Sequence, residues 1–404
     1  MRRINPSGFR VARRGTGREI NRQIALNLVR ERQPISRAEL ARVMGVRPGA
    51  VSLLVNELLE AGLVFEGAKG VSKVGRRPMY LQIDTRRRWA LAVDISVGGT
   101  ALMAADLVGR PLLDVITFPT AARPQAWVKD AARQLERILD AHPELGECVG
   151  VGVVVPGMVD LHGSRLKHCP TLGWRDVDIL EPLQQATRLP VVIENDCKAC
   201  ALAQVWAVTG DVPADGAVVF VNVTDGVGVG IAIDGKLLRG AHNISGEFGH
   251  VALNMYGPRC SCGQRGCWEA YVSQRATTAR YLGADPSWSG SAEPSQPTVL
   301  EIVARARAGE GKALETLRET GHYLGRGIAT IVKTIDPARV YVGGDITLGW
   351  DLIECTVREV VREQALIREA GEIDIRVVPL EEHPRLRGAA ALVSAPAFAA
   401  PVVA

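Results

Sequence analysis

One histidine and three cysteines fall within eighteen residues, in the runs Gly246-Glu247-Phe248-Gly249-His250 and Cys260-Ser261-Cys262-Gly263-Gln264-Arg265-Gly266-Cys267-Trp268-Glu269. Thiolates and imidazole are the donors that zinc takes in a tetrahedron, and a His/Cys3 set fills all four positions. Such a site keeps no open position for water, so the expected metal is structural: one Zn2+ per chain on His250, Cys260, Cys262 and Cys267. Glu247 and Glu269 flank the cluster without being needed for ligation, which leaves both carboxylates free to face a ligand. The metal would then buttress a binding pocket. A flexible loop with unrelated cysteines is the weaker account, because three of the eight cysteines crowd beside one histidine.

Charge is segregated along the chain. Residues 1–88 carry 19 Lys and Arg against 7 Asp and Glu, a net of +12, whereas the rest carries 29 against 37, a net of −8. A basic module fused to an acidic body implies a polyanion partner at the N-terminal end. Residues 18–83 read as three helices and a hairpin. The first helix carries Ile20, Ile24 and Leu28 along one face. Ser36-Arg37-Ala38-Glu39 is a capping box that opens a second helix, with Leu40, Ala41 and Met44, ending at Gly45. Pro48 opens the third, whose stripe is Val51, Leu54, Val55, Leu58 and Leu59.

Two short helices joined by a glycine-containing turn form a helix-turn-helix, with the third helix placed in the major groove of duplex DNA. Strands expected at 63–66 and 79–83 flank a basic wing of Lys69, Lys73 and Gly75-Arg76-Arg77-Pro78, thin enough to reach phosphates or a narrow minor groove. A solvated hairpin is the bland alternative, disfavoured by the preceding helix-turn-helix. Arg47, Gly49, Ala50, Ser52 and Leu53 occupy the exposed start of the third helix as candidate DNA contacts. Whether Arg47 meets a guanine or a phosphate, spacing leaves open. Arg86-Arg87-Arg88 falls in a linker and grazes the DNA backbone at most.

At 404 residues the expectation is two or three domains. From Trp89 onward apolar strands alternate with helices, an α/β pattern. The strands are expected at 91–95, 102–107, 149–155, 191–194, 218–223 and 227–233. The helices are expected at 124–141, 197–207, 299–308 and 312–335. Met1-Arg2-Arg3-Ile4 opens no signal peptide, no apolar run is long enough for a bilayer, and the irregular cysteines form no secreted disulfide framework. A cytoplasmic protein without a membrane partner is the expectation.

The metal motif with its Gly-Glu-Phe-Gly lead resembles the ROK family of sugar kinases and sugar-responsive repressors. Other landmarks are similar to that family in the same order: Val155-Pro156-Gly157, then Pro170-Thr171-Leu172-Gly173-Trp174 with Thr171 in place of the usual asparagine, then Glu194-Asn195-Asp196. The resemblance runs from about Trp89 to near Ala390. It implies a two-lobed α/β actin-like ATPase (ROK sugar kinase-like) fold, preceded here by the winged helix-turn-helix (α+β) that ROK repressors carry and ROK kinases lack. The implied organisation is a basic arm at 1–17, the winged module at 18–83, a linker at 84–88, a first lobe at 89–195 completed by the C-terminal helix, a second lobe at 196–395 and a tail at 396–404. A sugar in the cleft would meet Asn195, Asp196, Glu247, His250 and Glu269. In related kinases the aspartate matching Asp196 deprotonates the hydroxyl that attacks ATP. By position alone, Asp196 also reads as an N-cap.

The phosphate loops depart from the kinase pattern. Where ROK kinases have Asp-x-Gly-Gly-Thr, this chain has Asp94-Ile95-Ser96-Val97-Gly98, with Gly99-Thr100 two positions late. In the second loop Asp225 replaces a phosphate-facing threonine, and a carboxylate there repels a triphosphate. The expected function is a sugar-responsive transcriptional regulator, a repressor of carbohydrate-utilisation genes similar to the xylose, N-acetylglucosamine and glucose types. No catalytic residue is expected. Its partners would be operator DNA, a sugar effector and a second copy, as a homodimer or dimer of dimers. The alternatives are an active or bifunctional ROK sugar kinase and a regulator that answers to a partner protein. Cys197-Lys198-Ala199-Cys200 and Gly226-Val227-Gly228-Val229-Gly230 look like redox and dinucleotide motifs but lack the surrounding pattern of either.

Overall fold

The computed structural model describes residues 15–69, 79–160, 165–207, 216–287 and 296–398. The N-terminal module runs α1 (Thr16–Arg32), β1 (Ile35–Ser36), α2 (Arg37–Met44), α3 (Pro48–Glu60), β2 (Val64–Lys69) and β3 (Met79–Ile83). Its three strands form an antiparallel sheet in the order β1-β3-β2. Ser36 caps α2 by accepting from the Glu39 N–H at 3.2 Å, and the Glu39 carboxylate accepts from the Ser36 N–H at 2.9 Å. Gly45, at φ 66°, closes α2 in the left-handed region that favours glycine. Val51, Leu54, Val55 and Leu58 of α3 face inward as their spacing requires.

The first helix does not bury the face its sequence suggests. Ala25, Leu26 and Val29 are its core residues, Ile24 is exposed, and Ile20 and Leu28 are half-buried. The reason is a second partner: the module's apolar cluster continues into Leu107, Trp206, Ala391 and Phe398 of the body. Phe398, expected in the tail, is therefore buried. The wing residues Lys73, Arg76 and Arg77 lie outside the described residues, as does the side chain of Lys69. The expected linker is docked: Arg86 and Arg87 pair with buried Asp84 at 3.1 and 3.4 Å, and Arg88 pairs with Glu147 at 3.0 Å.

The body begins with β4 (Arg88–Ser96), β5 (Gly99–Asp106), β6 (Ile116–Phe118), α4 (Pro124–Ala141) and β7 (Glu147–Val155). A small antiparallel sheet follows, of β8 (Met158–Val159), β9 (Leu166–Cys169) and β10 (Trp174–Val177), then α5 (Leu180–Thr187) and β11 (Val191–Asn195). The main sheet has the order β11-β7-β4-β5-β6, with β4, β7 and β11 parallel. Strand alternation sorts β4 by size. Trp89, Leu91, Val93 and Ile95 pack with α4 and α5, while Ala90 and Ala92 face the C-terminal helix.

The chain then crosses through α6 (Asp196–Ala207) into β12 (Ala217–Val223), β13 (Val227–Ile233) and β14 (Lys236–Leu237). Beyond them come α7 (Glu269–Val272), α8 (Gln274–Leu282), α9 (Val299–Arg307), α10 (Gly311–Ile335) and β15 (Arg339–Gly343). The last elements are α11 (Trp350–Gln364), α12 (Arg368–Gly371), β16 (Asp374–Val377) and α13 (Pro384–Ser394). The second sheet has the order β14-β13-β12-β15-β16. Helices α7 to α11 contribute to its larger core. Between the two sheets lie α6 and α13, α13 against β4 and β7 and α6 against β12 and β13. Among the described residues no helix is long and apolar enough to cross a membrane.

Candidate functional site

The turn from β11 into α6 places two polar side chains with different tasks. Asn195 Oδ1 accepts from the N–H groups of Cys197 and Lys198 at 3.0 and 3.1 Å, and its Nδ2 donates to the Gly157 carbonyl at 3.2 Å. Asn195 therefore does the capping and fastens the Pro156-Gly157 turn to the helix start. Asp196 begins α6, where the helix dipole favours a carboxylate. Its Oδ1 accepts from the Cys197 N–H at 2.9 Å and its Oδ2 lies 3.4 Å from Arg385 Nη2.

A buried polar network that sequence reasoning missed lies behind this turn. Glu194 pairs with Arg239 Nη2 at 2.8 Å, and Asn243 Nδ2 donates to the Val159 carbonyl at 3.0 Å. Lys198 Nζ donates to Asn243 Oδ1 at 2.8 Å. Burial holds the Lys198 ammonium below the ordinary lysine range, against the pull of Glu194 and Glu247. The one sequence signal for Lys198 is its place one turn after Glu194-Asn195. Arg239 and Asn243 carry none, because the loop that supplies them has no local pattern.

The four donors of the metal motif do converge. One ligand atom from each of His250, Cys260, Cys262 and Cys267 lies within 4.8 Å of the others. Bonds of about 2.3 Å to sulfur and 2.0 Å to nitrogen in a tetrahedron separate two sulfurs by about 3.8 Å and sulfur from nitrogen by about 3.5 Å. Here Cys262 Sγ and Cys267 Sγ are 3.7 Å apart, and Cys260 Sγ and His250 Nδ1 are 3.5 Å apart. The donor set thus fits a tetrahedral metal ion. His250 joins two environments: Nδ1 faces the thiols, while Nε2 lies 3.9 Å from Glu247 Oε2.

Glu247 is raised above the ordinary glutamate range by burial, and it senses His250, Lys198, Glu269 and Asp196. Of the expected ligand side chains, Asp196, Glu247, His250 and Glu269 are therefore electrostatic neighbours. Glu269 is not free in the way its position suggests. Its Oε1 accepts from Ser261 Oγ at 2.8 Å and its Oε2 from the Val227 N–H at 3.1 Å, because the metal loop and the second phosphate loop close upon it from both sides.

On the opposite side of Asp196 stands Arg385, at the start of α13, another residue that the sequence leaves unmarked. Its Nη2 lies 2.8 Å from Asp94 Oδ1 and donates to the Ile95 carbonyl at 3.1 Å. Burial pushes the Asp94 carboxyl up to about 6 despite this cation, and nearby Asp196 adds to the rise. The first loop is a tight β4–β5 hairpin, with Ser96 Oγ donating to the Gly99 carbonyl at 2.7 Å. Thr100 is fully buried and accepts from Trp127 Nε1 at 2.7 Å, so its hydroxyl serves the core. In the second loop the Val227 N–H is already taken by Glu269. Asp345 is raised by burial and by Asp225, and lowered by Arg385. Asp94 and Asp196 thus share one arginine, and Asp345 feels both that cation and Asp225.

Both misleading motifs have packing explanations. Cys197 and Cys200 are buried, and burial pushes both thiols well up. A Cβ at Gly228 would sit 2.2 Å from Cys197 Sγ and one at Gly230 2.0 Å from the Cys197 carbonyl oxygen, so this glycine repeat seats α6 on β13.

In the N-terminal module Arg47, Gly49, Ala50 and Leu53 are exposed at the start of α3, as expected, and Ser52 is half-buried. The Ser52 hydroxyl donates to the Pro48 carbonyl at 3.0 Å, which occupies it within its own helix. Arg37 braces α3 by donating to Asn56 Oδ1 at 3.0 Å, while it pairs with Glu66 at 2.9 Å.

Comparison with known proteins accords with this architecture. The xylose repressor of Bacillus spizizenii is 28% identical over 345 residues, covering 85% of this chain and 87% of that protein. A solved ROK family transcriptional regulator, a homologue of the Escherichia coli MLC protein, covers 94% of this chain and 97% of its own, with a TM-score of 0.75 and 24% identity. A ROK family glucokinase from Streptomyces griseus, solved with glucose and AMPPNP, covers 75% of this chain and 98% of its own, with a TM-score of 0.60 and 26% identity. The family model described as ROK matches residues 91–395, and the chain belongs to the ROK family.

Proposed function

We propose that this protein is a sugar-responsive transcriptional repressor whose N-terminal module binds operator DNA. One observation carries the reading. A helix-turn-helix with an exposed α3 start is packed onto a ROK body, and the glucokinase match leaves about that much of the chain uncovered. The sugar is held by Asn195, Asp196, Glu247, His250 and Glu269, with hydroxyl contacts to the carboxylates worth about 1.5–3 kcal/mol each. His250, Cys260, Cys262 and Cys267 hold one structural Zn2+, which keeps the segment between Glu247 and Glu269 in place. Zinc supplies folding energy there, with its four positions filled by protein donors. Arg47, Gly49, Ala50, Ser52 and Leu53 face the major groove, and Lys69, Lys73, Arg76 and Arg77 meet the backbone or minor groove. Two chains act together, because paired heads double the phosphate contacts.

Sugar phosphorylation is the second reading, and the ion pairs around Arg385 speak against it. Asp196 is held by a cation, and Asp225 stands in the second loop where ROK kinases have a threonine, so it adds a carboxylate that repels a triphosphate. The deciding experiment combines anisotropy on a duplex that the protein itself enriches from a random pool with coupled ATP-turnover assays. D-xylose, D-glucose and N-acetyl-D-glucosamine are the probes. Operator release by one of them without ATP turnover is the expected result. Turnover at rates ordinary for enzymes, with no DNA binding, overturns the reading.

A further inference from the structure

We propose that Arg385 is a positioning residue of the sugar response, tying Asp196 to α13 so that occupation of the sugar site is passed along α6 and α13 to the first helix of the DNA-binding module. The inference rests on the reading that a sugar contacts Asp196.

Its basis is that two helices each have one end in the site and the other end at the same joint. Helix α6 starts at Asp196 and reaches Trp206 near its far end; at 1.5 Å per residue it spans about 18 Å. Helix α13 starts beside Asp196 and Asp94 with Arg385, and it runs into the 3-10 turn Ala395–Phe398. The two helices are in direct backbone contact. A Cβ at Gly388 would sit 2.3 Å from the Ala199 carbonyl oxygen, so no side chain cushions one against the other. A shift of α6 is therefore felt by α13.

At the joint, the Phe398 ring meets the Trp206 ring edge-on at 4.7 Å. The other half of the joint is α1. Arg30 places its guanidinium 4.2 Å from the centre of the Trp206 ring, Asn27 Nδ2 donates to the Phe398 carbonyl at 2.7 Å, and Gln23 Nε2 donates to the Ala397 carbonyl at 3.0 Å. Because Trp206 and Phe398 also belong to the apolar cluster of α1, α2 and α3, the joint is part of the module's own core. Interfaces packed in this way switch between discrete arrangements instead of yielding gradually.

The test uses the full chain and reads coupling, the ratio of operator Kd with and without saturating sugar, which is independent of sugar affinity. D-xylose, D-glucose and N-acetyl-D-glucosamine are the sugars, and a duplex enriched by the protein from a random pool is the DNA. Wild type is expected to show a ratio of about 5–150, the range of ordinary allosteric coupling. Asn27→Ala with Arg30→Met should keep sugar affinity, by calorimetry, and bring the ratio to about 1–2. Arg385→Met should lower the ratio as well, and Arg385→Lys, which keeps the charge, should restore part of it. If the α1 double variant loses operator binding altogether, the Arg385 pair decides, since it lies at the end of α13 opposite the joint. Arg385→Met with the full wild-type ratio overturns the proposal. A wild-type protein that binds a sugar without any change in operator affinity overturns the functional reading itself, and the proposal with it.

Discussion

Replacing Asp196 by asparagine removes charge while keeping shape, and the structure sets what that should do. The carboxylate is buried, with its side chain 7% exposed, so solvent screening gives little discount. Asparagine retains an acceptor for the Cys197 N–H, now at 2.9 Å, and the start of α6 is also capped by Asn195. Arg385 keeps Asp94 at 2.8 Å as its counter-ion, so the fold should persist. What is lost is a charge-assisted hydrogen bond to a sugar hydroxyl, about 1.5–3 kcal/mol. At about 1.4 kcal/mol per decade, the sugar Kd should rise about 10- to 150-fold. Calorimetry with the sugar identified by a thermal-shift screen measures this directly. Anisotropy should show operator still bound without sugar and no longer released at wild-type sugar concentrations. Sugar affinity within about threefold of wild type would refute the placement of the pocket.

Three further outcomes are expected. Because the folded Asp94 carboxyl titrates near 6, above its ordinary 3.8, the native state holds the extra proton between those values and wild type loses stability as pH rises through them. Urea unfolding of wild type should show stability falling as pH rises from about 4 to about 6, and Asp94→Asn should flatten that fall; an equally steep fall in the variant would assign it to another group. Metal analysis should find one zinc per chain, and Cys262→Ser should lose the metal, lower the thermal midpoint and weaken sugar binding together; zinc-free wild type, carefully prepared, would sink the assignment. Arg76→Ala with Arg77→Ala should weaken operator binding and make the slope of log K against log salt shallower by about 2, whereas an unchanged slope would remove the wing from the interface.

Legibility in the amino-acid sequence follows locality. The His/Cys3 donors lie close along the chain, and the short segment from His250 to Cys267 folds back so that all four converge. The Ser36–Glu39 capping box, the Pro48 helix start and the strand–helix alternation from Trp89 are equally local, and each stands where its pattern puts it. The failures share a different cause. Ile20, Ile24 and Leu28 are the reasonable inner face of α1 for a helix with one partner, but Trp206, Ala391 and Phe398 supply a second one from far along the chain.

Sequence alone determined the His/Cys3 cluster, the family and the N-terminal helix-turn-helix, because these depend on short spacings and residue chemistry. Tertiary structure alone decided the work of Arg385, the engagement of Glu269 and the purpose of the Gly226–Gly230 repeat. An arginine in the first turn of a helix of small residues has no pattern that points to two aspartates on other elements. Only the packing of α6 and α13 between the two sheets brings Asp94, Asp196 and Arg385 within ion-pair distance, and it does so because alanine and glycine on the facing surfaces allow the backbones that close approach.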